Sequence, residues 1–358
     1  MTAASALVTG LGAHSAFGRG VDALWQGALS GQTAIRAGRY GWAASVAGGV
    51  DVLSAAREAI EDAQLQAADV RAAALVCGTT TGGMARWLAG ETGPELAYHG
   101  PAAALARALG LGGPLLVPSV ACASGTAAVG MALDLVRSER AQVVLCGGTD
   151  VLTEFVAHGF AALQALDPNG PARPFDRSRA GLSLGEGAAF LVLEGAAHAA
   201  RRRPRARLVG AGLAGDAVHM TAPDREGRGA ARAIRAALAD AGLPPSAVDF
   251  VSAHGTGTSF NDAMEARALQ AAGVAHAPVH GLKGALGHTL GAAGAFEALL
   301  CVRVLETGLI PPTAGLSELD PSIALDVVAR APRCAAVRVA LSTSSGFGGM
   351  NAAVVLSH

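Results

Sequence analysis

Short apolar runs alternate with helix-like segments along the whole chain, and this alternation restricts the fold more than any other feature. Consecutive apolar residues predict buried strands at residues 6–10, 72–76, 142–145 and 188–193. Between the first two strands, residues 54–64 carry apolar residues at helical spacing. Strands that are apolar at consecutive positions are buried on both faces, so the pattern predicts a layered α/β protein.

The chain also contains a possible internal repeat. Residues 56–63 and 233–241 both read as helices that end in Asp-Ala. Each leads through a short turn to a strand, at residues 74–76 and 250–253, and each strand runs into a Gly-Thr pair. Gly-Thr after a strand is common, so the repeat is a hypothesis. It predicts two similar halves whose equivalent strand ends meet at a shared centre.

The predicted halves are residues 1–200 and 201–358. Their junction carries a basic run, RRRPR at residues 201–205. Such a run is usually a solvated turn; the alternative is a docking site for an acidic partner.

Composition limits the functional classes. The chain is 51% hydrophobic and 15% charged, which is enough apolar residue to bury a large core and argues against disorder. Its 27 basic and 28 acidic residues nearly cancel, which argues against nucleic-acid binding. We predict no signal peptide and no membrane-spanning run, because glycine and charge interrupt each apolar candidate.

The cysteines indicate the compartment. Five are scattered along the chain without the close pairing of metal ligands: Cys77, Cys122, Cys146, Cys301 and Cys334. The simplest prediction is a reduced cytoplasmic protein with no disulfide and no zinc.

One cysteine has a setting of its own. Cys122 stands where an apolar run gives way to very small residues that predict a helix, with residues 124–126 in its first turn. A helix N-terminus favours the thiolate, so we expect a nucleophile with a lowered pKa. The alternative is a buried structural cysteine, which is the commoner case.

Two histidines stand beside glycine-rich turns. His254 opens the loop HGTGT after a predicted strand, and His288 is flanked by small residues, with Lys283 five positions upstream. The loop lacks the Lys-Ser/Thr pair of a phosphate loop, which disfavours nucleotide binding. A lone histidine is usually a core residue, but one cysteine with two histidines points to acyl chemistry, either hydrolysis or transfer. Residues 344–351 form another glycine- and serine-rich loop before the last predicted strand, residues 352–356.

These segments together resemble the β-ketoacyl-ACP synthases, the elongating ketosynthases of fatty-acid and polyketide synthesis, over nearly the whole chain. Each motif is weak alone, but their order is specific. The matching stretches are VTGLGA at 8–13, ACASG at 121–125, PFDR at 174–177, GEGA at 185–188, DAVHMTAP at 216–223, AHGTGT at 253–258, Lys283 with GH at 287–288, and GFGG at 346–349 with Asn351. The resemblance implies a thiolase fold of two similar βαβαβαββ halves in five α-β-α-β-α layers.

The resemblance also implies catalytic roles. Cys122 would carry the acyl chain as a thioester, and the Nε2–H groups of His254 and His288 would stabilise the enolate formed when malonyl-ACP loses CO₂. Lys283 would support the histidine region, with Glu265 as its partner. The backbone N–H groups of Cys122 and Phe347 would bind the oxyanion during acylation.

The remaining implied roles concern substrate. Phe160 and Phe347 would gate the acyl pocket, Thr256 and Thr258 would contact the pantetheine arm, and Gly348 would line the substrate site. No metal and no bound cofactor is implied, since the 4'-phosphopantetheine arm arrives on the acyl carrier protein. The implied partners are that carrier and a second ketosynthase-like subunit, in a homodimer or a heterodimer.

The chain departs from the family in length and at several positions. Residues 35–51 and 84–118 are abbreviated where the family usually builds its cap, pocket wall and part of its dimer surface. Leu282, Gly284, Ser345 and Met350 replace commoner residues, but no catalytic group is lost.

Three hypotheses follow. The first is an active elongating ketosynthase. The second is a non-condensing, chain-length-factor-type partner, which usually lacks the cysteine. The third is a thiolase or starter-unit transferase, disfavoured because the C-terminal loop lacks a second cysteine and both histidines are kept. The shortening favours a specialised polyene or polyketide pathway over primary lipid synthesis, by analogy only.

Overall fold

A computed structural model describes residues 5–358, apart from the side chain of Arg201. In the first half the strands are β1 (Ala6–Ser15), β2 (Gly18–Arg19), β3 (Arg36–Gly38), β4 (Gly41–Ala44), β5 (Ala74–Gly78), β6 (Leu115–Leu116), β7 (Val143–Asp150), β8 (Leu184–Gly185) and β9 (Gly187–Glu194). The helices there are α1 (Val21–Leu29), α2 (Val52–Asp62), α3 (Ala67–Ala72), α4 (Met84–Leu88), α5 (Gly100–Leu109), α6 (Ser124–Arg137) and α7 (Glu154–Ala162).

The second half has the same kinds of element. Its strands are β10 (Ala206–Gly215), β11 (Phe250–Ala253), β12 (Val279–Gly281), β13 (Leu309–Ile310), β14 (Arg333–Cys334), β15 (Val339–Gly346) and β16 (Met350–Ser357). Its helices are α8 (Arg228–Ala241), α9 (Ser259–Ala272), α10 (Lys283–Leu286) and α11 (Ala293–Thr307). Short 3₁₀ turns occur at Pro94–Leu96, His198–Arg201, Pro245–Ala247, Leu290–Ala292 and Phe347–Gly349.

The main sheet consists of two wings with the same strand order. The order is β6-β5-β7-β9-β1 in one wing and β12-β11-β15-β16-β10 in the other, and β1 pairs with β10 between them. Within each wing the strands follow the same sequence order and directions. This is the arrangement that the repeat hypothesis predicts, and we propose that the halves divide near residue 200.

Helices lie on both sides of each wing. The central helices α6 and α11 contact each other and strands of both wings, and α2 and α5 cover the outside of the first wing. Helix α8 packs on the second wing, and α9 packs beside α8 in the same core cluster as β11, β15 and β16. The layers are therefore helix, sheet, helix, sheet, helix, as in the thiolase fold. Strands β7 and β9 are buried at every position, as their continuous apolar sequence predicts.

The repeat extends to the glycines of the paired strands. A Cβ on Gly10 or Gly12 would lie about 2 Å from a backbone carbonyl of α2, and one on Gly210 or Gly212 would meet a carbonyl of α8 in the same way. Only glycine lets the strand and the outer helix approach so closely. Gly10 and Gly12 thus lie inside β1, which continues to Ser15. The prediction that this strand ends at residue 10 was wrong.

Several other element boundaries also differ from prediction, and two of these differences have a local cause. Residues 67–72 form α3, so the following strand begins at Ala74 rather than at residue 72. Helix α2 begins earlier than predicted because the Asp51 carboxylate accepts the Ser54 N–H at 3.0 Å and caps it.

In the basic run at the junction, Arg203 is exposed, as expected for a solvated turn, but Arg202 and Arg205 form ion pairs with the body of the protein. Arg202 binds Asp69 at 2.7 Å and also pairs with Glu194. Arg205 binds Asp62 of α2 at 2.5 Å and Glu306 of α11 at 2.6 Å. These arginines join elements from different layers, which local sequence could not show.

Candidate active site

The segment that carries Cys122 is a strained turn at the start of α6. Ala121 adopts φ +51°, an uncommon conformation for a residue with a side chain. The Ser124 hydroxyl holds the turn, since it accepts the Val120 N–H at 2.9 Å and donates to the Ala121 carbonyl at 2.6 Å. Cys122 is buried and lines a cleft of about 380 Å³ that opens to solvent.

Close packing explains the small residues around this turn. A Cβ on Gly125 would lie 2.7 Å from the Gly291 carbonyl oxygen, and one on Gly294 would lie 2.0 Å from the Thr126 hydroxyl oxygen. The N-terminal ends of α6 and α11 therefore meet backbone to backbone. This contact brings Cys122 and the turn after His288 into one site.

The Cys122 thiol is not activated by its position alone. Burial raises its pKa to about 11, while the Lys283 ammonium and the backbone N–H of Phe347 act in the opposite direction. The expectation of a lowered pKa was therefore wrong, because desolvation outweighs the N–H groups at the helix terminus.

His254 and His288 both line the cleft with Cys122. Their ring centroids are 5.3 Å apart and the rings are nearly perpendicular. Burial lowers the pKa of both imidazoles well below the usual value, and the Lys283 charge lowers both further. Both rings are therefore neutral at pH 7.

The tautomer of His288 follows from its surroundings. Its Nδ1 accepts the Leu290 N–H at 3.3 Å, so in the neutral ring the proton is on Nε2. A neutral Nε2–H is a hydrogen-bond donor available to a substrate oxygen. The Nδ1 of His254 has no hydrogen-bond partner among the described residues, so its tautomer is not fixed in this way.

Lys283 is paired with Glu297, not with Glu265 as predicted. Its Nζ donates to a carboxylate oxygen of Glu297 on α11 and, at 2.6 Å, to the carbonyl of His254. Both side chains are almost fully buried. Burial raises the pKa of the Glu297 carboxyl to about 7, against the lowering effect of the Lys283 ammonium. The prediction was wrong because α11 brings Glu297 to the lysine, while the Glu265 carboxylate binds the His254 and Gly255 N–H groups.

Glu265 instead holds the backbone of the histidine loop. Its carboxylate accepts the His254 N–H at 2.7 Å, the Gly255 N–H at 2.8 Å and the Thr343 hydroxyl at 2.8 Å. Asp262, one turn earlier on α9, accepts the backbone N–H groups of Thr256 and Gly257. Two buried carboxylates thus fix the loop that carries His254.

The loop after β15 closes over the cysteine. A Cβ on Gly346 would lie 3.0 Å from the Cys122 nitrogen, so the two backbones are in contact. The Phe347 N–H lies near enough to the Cys122 thiol to lower its pKa. Gly348 is placed differently from the prediction: it does not line the cleft, and its N–H donates to the Met220 carbonyl at 2.6 Å.

Phe160 and Phe347 both line the cleft and stack on each other, with ring centroids 5.6 Å apart. Thr256 and Thr258 also line it, and their hydroxyl oxygens are 2.9 Å apart. The cleft therefore combines an aromatic pair at one side with hydroxyl groups at the other, beside the cysteine and both histidines.

Two classes of feature are missing from the described part of the chain. No cluster of three or more His, Cys, Asp or Glu side chains within residues 5–358 is arranged to hold a metal ion. Over the same residues, no helix has the length and apolar character needed to cross a bilayer.

The family assignment agrees with this geometry. Sequence models of the beta-ketoacyl synthase family match the chain in two parts, the N-terminal domain at residues 50–199 and the C-terminal domain at residues 205–317. The chain belongs to the beta-ketoacyl synthase family.

Two curated relatives of this ketosynthase-family chain illustrate the similarity. It is 42% identical over 254 residues to 3-oxoacyl-(acyl-carrier-protein) synthase 2 of Mycobacterium tuberculosis, a match that covers 68% of this chain and 61% of the relative. It is 34% identical to the protein of the same name from Synechocystis sp., over 96% of both chains. That second alignment, at 398 residues, is longer than this whole chain of 358, so the relative carries residues that this chain lacks.

Solved structures of ketosynthases have the same fold. A chain of the ishigamide ketosynthase/chain length factor superposes with a TM-score of 0.91 at 35% identity and covers 99% of both chains. A chain of AntDE:AntF, described as a type II PKS acyl-carrier protein in complex with its ketosynthase bound to the hexaketide, superposes with a TM-score of 0.92 at 28% identity over 99% of both chains.

Sequence reasoning missed three buried carboxylates in this ketosynthase-family site: Asp150, Asp262 and Glu297. A usable signal existed for Glu297, which is a single acid within an otherwise apolar stretch of α11, residues 293–302. No comparable local signal marks Asp150, whose partners lie about 70 and 140 positions away.

Proposed function

We propose that this chain is an elongating condensing enzyme, a 3-oxoacyl-(acyl-carrier-protein) synthase. The observation that supports this most is the convergence of Cys122, His254 and His288 on one cleft, above a buried Lys283–Glu297 pair. A single cysteine and two neutral histidines are suited to carbon–carbon bond formation through a thioester, without a metal ion.

In the acylation step, the Cys122 sulfur attacks the carbonyl carbon of an acyl thioester on the carrier protein. A new sulfur–carbon bond forms, the old one breaks, and the carrier leaves as a free thiol that takes the Cys122 proton. The negative oxygen of the intermediate would lie against the backbone N–H groups of Cys122 and Phe347. Because the thiol is protonated at pH 7, this step requires its deprotonation as substrate binds.

In the condensation step, malonyl-ACP loses CO₂ and leaves an enolate of its thioester. The Nε2–H groups of His254 and His288 would donate hydrogen bonds to the enolate oxygen, which stabilises the charge in a water-poor site. The enolate carbon then attacks the acyl-Cys122 carbonyl, the Cys122 thiolate leaves and takes a proton from solvent, and 3-oxoacyl-ACP is released. The cycle consumes one proton, releases CO₂ and the free carrier thiol, and needs no redox partner.

The cleft suits an extended thioester arm. The hydroxyl groups of Thr256 and Thr258 would contact the 4'-phosphopantetheine arm of an acyl carrier protein, and Phe160 with Phe347 would gate the acyl end. We propose no other cofactor.

The cytoplasm is our proposed location, since five free cysteines in the described chain suit a reducing compartment.

We also propose that the chain works with a second ketosynthase-like subunit, a copy of itself or a different chain. Trp87, Leu88 and Phe155 are apolar residues exposed at 61%, 47% and 59%, and the first two lie in the segment that is abbreviated in this chain. A dimer contact would cover such residues. We favour a specialised polyene or polyketide pathway over fatty-acid synthesis, because the segment that carries Trp87 and Leu88 is abbreviated.

The second candidate function is a chain-length-factor-type subunit that pairs with an active ketosynthase. The similarity to a ketosynthase/chain length factor structure supports it. The retained cysteine and histidines in one cleft favour the catalytic proposal over this one.

The test is turnover of the purified chain with acyl-ACP and malonyl-ACP, followed by mass spectrometry of the carrier. We expect 3-oxoacyl-ACP from the wild type and none from Cys122→Ala. Cys301→Ala, which alters another buried cysteine on α11, is the matched control and should remain active. Decarboxylation of malonyl-ACP should survive in Cys122→Gln and be lost on adding His288→Ala.

No product from the isolated wild type, together with product from the Cys122→Ala protein when a second ketosynthase-like chain is added, would favour the partner-subunit candidate. Product from Cys122→Ala would contradict the mechanism.

A further inference from the structure

We propose that Asp150 is a positioning residue for His288, acting through the turn at residues 288–291. This rests on the proposed function of the cleft. Asp150 lies at the C-terminal end of β7 and is buried. It belongs to none of the motifs that carry the family resemblance.

The Asp150 carboxylate lies in a ring of hydrogen-bond donors. It accepts the hydroxyl groups of Thr79, Thr80 and Thr81 at 2.6, 2.8 and 2.8 Å. It also accepts the backbone N–H groups of Thr80 at 2.8 Å and Thr81 at 3.2 Å. The sixth donor is the Gly291 N–H at 2.7 Å, which comes from the other half of the chain. A carboxylate only accepts hydrogen bonds, so it satisfies all six donors, whereas an amide would direct its own N–H groups at some of them.

The Gly291 contact is what connects Asp150 to the histidine. Gly291 follows Leu290, whose N–H is accepted by Nδ1 of His288 and whose backbone has φ +54°. A Cβ on Gly291 would lie 2.6 Å from an Asp150 carboxylate oxygen and 2.6 Å from Cα of Thr79. The turn is thus pressed against the end of β7 and the loop after β5. If the carboxylate moves, the Leu290 N–H that sets the His288 tautomer moves with it.

The placement has a counterpart in the other half of the fold. In one contact, the end of β15 lies over the start of α6 at Cys122. In the equivalent contact, the end of β7 lies over the turn before α11 at Gly291. A Cβ on Gly346 would meet the Cys122 nitrogen at 3.0 Å, and a Cβ on Gly148 would meet the Gly291 oxygen at 2.4 Å. On the Cys122 side the backbone N–H groups of Cys122 and Phe347 act on the thiol and lower its pKa. On the Gly291 side the Asp150 carboxylate accepts the Gly291 N–H and so holds the turn in place.

Asp150 also affects Cys122, and this effect is unfavourable to catalysis, whereas its effect on His288 is favourable. Its negative charge raises the pKa of the Cys122 thiol. Removing the charge should therefore make Cys122 easier to ionise while it makes His288 a poorer donor. A general loss of structure would not produce this pair of changes.

The experiment compares Asp150→Asn with Glu58→Gln in the full chain. Glu58 is a suitable control because its half-buried carboxylate accepts two backbone N–H groups, from Ala13 and Val21, but on the outer helix α2. In a Cys122→Gln background we expect Asp150→Asn to lower kcat for malonyl-ACP decarboxylation by roughly tenfold to a hundredfold with little change in KM, since small displacements of a catalytic donor have effects of this size. Glu58→Gln should leave kcat within about twofold.

Two further readouts do not depend on turnover. In ¹⁵N-histidine spectra of the Asp150→Asn protein, His288 should lose its single Nε2–H tautomer, and iodoacetamide alkylation of Cys122 should shift to lower pH. An unchanged His288 signal, or equal losses of activity and thermal stability in both variants, would overturn the proposal. If Cys122→Gln alone fails to decarboxylate malonyl-ACP, the proposed function fails instead, and the His288 spectrum still decides whether Asp150 positions the ring.

Discussion

At the scale of single residues, the site depends on burial as much as on residue type. Burial keeps His254 and His288 neutral and keeps the Cys122 thiol protonated at pH 7. The Lys283 ammonium is the positive charge that acts on all three groups. Glu297 holds that ammonium in place.

Replacing Lys283 by methionine tests this electrostatic role. Without the ammonium, the pKa of the Cys122 thiol should rise further, because the charge that stabilises the thiolate is gone. The rate of alkylation by iodoacetamide, measured against pH, should therefore have a higher midpoint in the Lys283→Met protein than in the wild type. Since the Glu297 pKa is already about 7, this carboxyl can take up a proton rather than remain as an unpaired buried charge.

Glu297→Gln is the matched control for this experiment, because it keeps the ammonium and removes only its partner. Its midpoint should stay close to that of the wild type. A Lys283→Met midpoint at or below the wild-type value would contradict the electrostatic role.

His280 allows a clean test of stability against pH. It is fully buried on β12, and burial lowers its pKa from 6.5 to about 4. In the unfolded chain His280 therefore binds a proton below about pH 6.5, whereas in the folded chain it does so only below about pH 4. The free energy of unfolding therefore falls as the pH is lowered from 6.5 to 4. Relative to His280→Gln, the wild type should lose about 3 kcal/mol of unfolding free energy between pH 7 and pH 4. Urea unfolding at both pH values measures this difference, and parallel pH profiles would show the assignment to be wrong.

At the scale of elements, the contact between α6 and α11 decides whether the site forms. The turn before each helix carries part of the site, Cys122 before α6 and His288 before α11, and the two helix ends meet at glycines. The spacing between thiol and imidazole is thus set by backbone contact rather than by side-chain packing.

Gly294→Ala should accordingly be strongly destabilising. Its new methyl group would lie 2.0 Å from the Thr126 hydroxyl oxygen and 2.4 Å from the Thr126 nitrogen, so α11 would have to move away from α6. Overpacking of this kind costs about 1–3 kcal/mol or more, and the melting temperature should fall by several degrees. Gly159→Ala on α7 is the control, because nothing lies within 4 Å of its added Cβ and alanine is the better helix former. Equal melting temperatures in the two variants would contradict the close contact.

At the scale of the whole molecule, the two wings share one strand order and meet through the short β1–β10 pairing. Arg137 of α6 binds Asp240 of α8 at 2.7 Å, and Arg205 bridges α2 and α11, so ion pairs also join the layers. The functional groups come from both wings, which explains why neither half alone could provide the site.

Much of the fold and of the candidate site was predictable from the sequence. Continuous apolar runs gave the buried strands, and the motif order indicated the thiolase fold and the positions of Cys122, His254 and His288. The partner of Lys283 and the role of Asp150 could not be predicted, because each depends on contacts between residues that are far apart in the chain. The pKa of Cys122 was misjudged because sequence shows a helix start but not the depth of burial.

The most direct test of the central claim is the intact mass of the protein after incubation with acyl-ACP alone. We predict that the wild type gains the mass of one acyl group, that the gain maps to Cys122 by peptide analysis, and that it disappears as chain-extended product forms when malonyl-ACP is added. The Cys122→Ala protein should gain nothing. An unmodified wild type, or an acyl group attached elsewhere, would contradict the claim that Cys122 is the acyl-carrying nucleophile of this cleft.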